Sequence, residues 1–69
     1  MIRLRVKEVA EKQGYNMSSL SRATDISFNT IKRLWRYPDT GVNLQTLSKI
    51  ADVLNVPLSE LTEEVYDNR

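Results

Sequence analysis

Apolar residues recur at intervals of three and four along most of the chain. The cleanest run is Leu44, Leu47, Ile50, Ala51 and Leu54. Residues at these spacings share one face of a helix, so this segment is predicted to be amphipathic, with Asn43 as its N-cap and Asn55 as a left-handed stop. A shorter helix is expected from Phe28 to Arg36. At about 100° per residue, Ile31 and Leu34 fall on its inner side and Asn29, Lys32, Arg33 and Arg36 gather opposite, while Ser27 stands where an N-cap is needed. Upstream, Asn16 can cap a helix from Met17 to Ala23, with Leu20 and Ala23 on an inner face. Only Thr24-Asp25-Ile26 separates the two.

A first helix is expected over Arg3 to Gln13, with Leu4, Val6, Val9 and Ala10 inward, Arg3, Arg5, Lys7 and Lys12 outward, and Gly14 in the left-handed position at its end. Pro38 pushes Tyr37 out of helical angles, so Tyr37 to Gly41 reads as a loop. Pro57 opens a short fifth helix bearing Leu58 and Leu61, and Thr62 to Arg69 reads as a frayed tail. No useful length alternates with period two, so no sheet is expected. The fold class that follows is all-α: residues 1–69 as one domain, a compact bundle of five short helices around a central helix-turn-helix.

Two short helices joined by a tight turn let the second enter a DNA major groove while the first crosses the backbone. Charge strengthens this reading. The net charge of +1 conceals a basic front and an acidic back, since residues 1–36 carry +5 and residues 37–69 carry −4. Local potential, not total charge, steers a polyanion. Composition removes other classes: with no cysteine, no histidine and two glycines, disulfides, the usual metal sites and phosphate loops lack their residues. No enzyme activity, cofactor, metal or small-molecule substrate is expected. Apolar runs are short and Arg3 and Arg5 interrupt the N-terminus, so no membrane segment or signal peptide is expected; the location that follows is cytoplasmic, on the nucleoid.

Side-chain chemistry then assigns roles along the second helix of the pair. Asn29 can pair bidentately with adenine and Arg33 with guanine, one helical turn apart, whereas Lys32 and Arg36 flank them and suit phosphates. Phe28 either packs against a thymine methyl or belongs to the core. Asn16 and the N-H groups of Met17 and Ser18 form a phosphate seat at a helix N-terminus, to which Ser19 and Arg22 can add donors. Ser27, Thr40 and Asn43 complete the phosphate set. Trp35 and Tyr37 form either an association surface or packing against the first helix.

These features together resemble the lambda-repressor-like helix-turn-helix family, the Xre or Cro type. The likeness spans residues 2–61: Gly14-Tyr15-Asn16, Leu20 with Ser21 and Ala23, Ile26-Ser27, the Ile31 and Leu34 pair, Leu44-x-x-Leu47-x-x-Ile50-Ala51, and Leu54-Asn55-Val56 before Leu58 and Leu61. The resemblance implies that Phe28, Asn29 and Arg33 meet base edges and that Asn16, Met17, Thr40 and Asn43 border phosphates. Three departures stand out. Met17 replaces a usual glutamine and offers only its backbone N-H, Asp25 replaces a frequent turn glycine, and Ala10 with Trp35 replaces a polar link by ring packing. The expected function is a transcriptional regulator, a repressor, acting on double-stranded DNA as a homodimer at a palindromic site. The dimer surface falls either in the loop from Tyr37 to Val42 or in the fifth helix with Val65 and Tyr66. The alternative is a protein-interaction adaptor or antitoxin-type partner protein that keeps the same fold.

Overall fold

Residues 2–64 are described by the computed structural model. In chain order they form strand β1 (Ile2–Leu4), helices α1 (Val6–Lys12), α2 (Met17–Thr24), α3 (Phe28–Arg36) and α4 (Leu44–Leu54), a 3-10 turn (Leu58–Leu61) and strand β2 (Thr62–Glu64). Each of the last three helices starts on a side-chain cap. Asn16 Oδ1 accepts the Ser19 N-H at 2.8 Å, Ser27 Oγ accepts the Thr30 N-H at 3.3 Å, and Asn43 Oδ1 accepts the Thr46 N-H at 2.8 Å. Left-handed residues follow α2 and α4, Asp25 at φ 59° and Asn55 at φ 56°, and Gly14 at φ 85° turns the chain after α1. Glycine takes that region freely, and Asp and Asn tolerate it better than most side chains.

The helices enclose one apolar cluster. Val6, Leu20, Ile31, Leu34, Ile50, Leu54 and Leu61 are fully buried, with Leu4, Val9, Ala10, Leu47 and Ala51 closing around them. Helix α2 packs on α3 and α4, and α1 packs on α3, α4 and the 3-10 turn. Gln13 Nε2 donates to the Leu54 carbonyl, joining the ends of α1 and α4 at 2.6 Å.

The all-α expectation is corrected by a two-stranded antiparallel sheet, in which Ile2, Arg3 and Leu4 face Glu64, Glu63 and Thr62. The helix expected from Arg3 therefore begins only at Val6. The reason is that the chain ends meet: the Leu4 N-H donates to the Pro38 carbonyl at 2.8 Å and the Arg5 N-H to the Leu61 carbonyl at 2.8 Å, so the extended backbone has acceptors on both sides. Thr62–Glu64, expected in a frayed tail, are held as β2 by that pairing, and Arg3 opposite Glu63 adds an attraction. Residues 65–69 lie outside the described residues, and with them the candidate surface at Val65 and Tyr66. The fifth helix is a single 3-10 turn after an extended Pro57. In α2 the inner position expected at Ala23 is exposed, and Thr24 is buried in its place. A buried hydroxyl needs a partner, and Thr24 Oγ1 donates to the Leu20 carbonyl at 2.7 Å.

Leu20→Ala is expected to cost about 2–5 kcal/mol of folding free energy, because a fully buried leucine leaves a cavity. Ala23→Ser, at an exposed position, is expected to stay within about 0.5 kcal/mol. Urea unfolding of both variants checks the corrected facing of α2.

Candidate nucleic-acid interface

Helix α3 has two sides of different chemistry. Ile31 and Leu34 are fully buried, and Trp35 is half-buried against the same cluster. On the other side Asn29, Arg33 and Arg36 are exposed and Lys32 is half-buried. Among the described residues none of these three cations forms an ion pair, so their charge is unneutralised by the protein. Asn29 and Arg33, four residues apart, share one face a single turn apart.

The three caps decide which polar atoms still have capacity. Asn16 Oδ1 is engaged with the Ser19 N-H, and the Ser19 hydroxyl accepts the Asn16 N-H at 2.9 Å. That closes a capping box and leaves the Asn16 Nδ2 group, a double donor, with no acceptor among the described residues. Asn43 is arranged in the same way, its Oδ1 turned to the Thr46 N-H and its Nδ2 group unengaged. Two helix starts therefore each combine an exposed amide donor with free backbone N-H groups of the first turn, those of Met17 and Ser18 in α2 and Leu44 and Gln45 in α4. Both ends are electropositive.

Ser27 is different. Its hydroxyl accepts the Thr30 N-H and donates to Thr30 Oγ1 at 2.9 Å, so its proton is committed to the cap. The proton of Thr30 is left without an acceptor among the described residues. Thr30 is a donor that the sequence did not single out; its signal was a threonine three residues after the capping serine.

The remaining candidates fall as follows. Ser18 is exposed and Met17 is half-buried against the core. Thr40 is half-buried, and its N-H donates to the Tyr37 carbonyl at 2.9 Å. Phe28 is 43% exposed, Tyr37 63% and Leu44 67%. Of the two rings proposed as a pair, Trp35 packs inward and Tyr37 does not. Arg5, expected outside, is half-buried; its Nε has no hydrogen-bond partner and stands 3.5 Å from Glu8 Oε2. Asp39, in the loop directly after α3, is exposed, as are Asp52, Glu60 and Glu63 on later elements. No helix among the described residues is long and apolar enough to cross a membrane.

A capped helix α2, a short turn through left-handed Asp25 and a second capped helix α3 with a cationic outer side make up a helix-turn-helix. The family model of the Cro/C1-type HTH DNA-binding domain matches residues 5–67, and the chain belongs to that family. It is also similar to the SPbeta prophage-derived uncharacterized HTH-type transcriptional regulator YopO of Bacillus subtilis (strain 168), with 37% identity over 60 residues, covering 87% of this chain and 84% of the relative. The resemblance seen in the sequence is thus confirmed at the level of the family.

Asn16→Ala is expected to lower stability by about 1 kcal/mol through loss of the cap, whereas Asn16→Asp keeps an acceptor for the Ser19 N-H and is expected to hold stability. Thermal unfolding of the two variants separates them.

Proposed function

We propose that this protein is a sequence-specific transcriptional regulator, a repressor, that reads the major groove with α3 as a homodimer on a palindromic site. The observation that carries the reading is the outer side of α3, where exposed Asn29 and Arg33 project from a helix whose inner side is fixed in the core. Asn29 matches the N6 and N7 groups of adenine, Arg33 matches O6 and N7 of guanine, and Phe28 stands beside them at the entering end of the helix. Lys32 and Arg36 lie along the phosphates. Asn16, Met17 and Ser18 at the start of α2 seat one phosphate, and Ser27, Thr40 and Asn43 border others.

Pairing of two copies follows from size. One module of this kind covers a modest interface, and two related by a twofold axis place their helices about 34 Å apart, one DNA turn. The site of action is the cytoplasm, on the nucleoid. An adaptor role is the second reading, and exposed Tyr37 and Leu44 are what favours it. Capture of one stoichiometric protein with no retardation of any duplex at low salt is the outcome that selects the adaptor.

Selection of duplexes from a random pool is expected to return symmetric half-sites about one turn apart. On such a duplex Arg33→Ala is expected to cost about 1–3 kcal/mol and relax preference at one base pair, while Lys32→Ala weakens all sequences alike. Equal losses on selected and random duplexes for Arg33→Ala contradict the assignment. Asn43→Asp replaces the free Nδ2 donor by a charged oxygen while keeping the cap. It is expected to weaken binding to every duplex with little change in thermal stability.

A further inference from the structure

Phe28 is the one aromatic side chain on α3 that the core does not take up. It opens the helix and is 43% exposed, whereas Trp35 at the other end of the same helix packs on the buried cluster. Its neighbours are polar. Asn29 follows it, and Lys32 lies one turn further on the same flank. A benzyl group left half in water gains favourable burial when a partner covers it.

With Lys32 on its flank and Arg33 and Arg36 further along the exposed side of α3, the ring suits an anionic partner that offers an apolar group. The major groove offers one such group, the C5-methyl of thymine. The first residue of a recognition helix also lies at the end closest to the bases. The ring has two side-chain torsions, so holding it against a methyl orders little. We infer that Phe28 is a methyl reader, which selects a thymine in the base pair read by Asn29 or the next one by contact with its C5-methyl group. This inference rests on the reading of α3 as the groove-facing helix, and it adds to that reading a base whose identity is set by burial of a methyl group instead of a hydrogen bond.

The test uses the full chain and a duplex selected from a random pool, with each thymine replaced singly by deoxyuridine. The replacement removes the methyl and leaves every Watson-Crick group in place. One thymine per half-site is expected to lose about fourfold in affinity on this change, the value of one buried methyl. Phe28→Ala is expected to bind the thymine and uracil forms equally, Phe28→Leu to keep part of the difference, and Arg33→Ala to keep all of it. Unchanged circular dichroism of the Ala variant checks the fold. The inference is overturned if no uracil position weakens the native protein, or if Phe28→Ala retains the native ratio. Replacement of each guanine by 7-deazaguanine tests the underlying reading separately. Loss of affinity at a guanine with no effect of uracil removes the methyl role alone, and no effect of either analogue anywhere removes groove reading and the methyl role together.

Discussion

Anchoring of α3 by Ile31 and Leu34 is the constraint on which the rest of the structure depends. Both side chains are shut away completely, against elements that contribute Leu20 from α2 and Val6 from α1 to the same cluster. A helix of nine residues is too short to be stable alone in water, so its shape is set by this contact. Once two positions a turn apart are fixed, the helix cannot roll, and the directions of Asn29, Arg33 and Arg36 are fixed with them. Rigid presentation of polar groups is what base reading needs, because hydrogen bonds to base edges tolerate little misplacement.

The second feature is the economy of the caps. A helix N-terminus must satisfy its first N-H groups, and the chain does this with asparagine at α2 and α4. An aspartate caps as well, yet its side chain would add a negative charge and no N-H donor. A serine caps through its only hydroxyl, as Ser27 does. Asparagine divides the work, the oxygen holding the helix and the nitrogen remaining as a donor, which the proposed function directs to a phosphate. The strands act at a different level. Through Leu4 and Arg5, β1 joins the loop after α3 to the segment before β2, closing the chain ends over the core.

Much of this was legible in the letters. The helices from Met17 onward, their asparagine and serine caps, and the left-handed Asn55 follow from local rules, because capping and three-and-four spacing depend on residues close in sequence. The two strands were not legible, because Ile2–Leu4 is three residues long and its partner lies at the far end of the chain. A pattern of that length cannot be told from the first turn of a helix. The exchange of Ala23 for Thr24 has another cause: hydrophobicity ranks alanine as the inner residue, but Thr24 can be buried because its hydroxyl returns to the carbonyl of Leu20. The outer face of α3 was legible as a face. The commitment of the Ser27 proton and the free proton of Thr30 were not, since they depend on which of two hydroxyls donates. Phe28 and Trp35 look alike in sequence and differ in burial, which only the packing of α3 decides.

The proposed DNA interface comprises the starts of α2 and α4 and the outer side of α3. The most direct measurement is titration of a selected duplex into nitrogen-15-labelled protein, followed by amide chemical shifts. The account predicts that the largest changes fall at residues 16–19, 27–36 and 40–45, while β1, β2 and the 3-10 turn stay still. Changes concentrated on the strands and the 3-10 turn, with the amides of α3 unmoved, would contradict it.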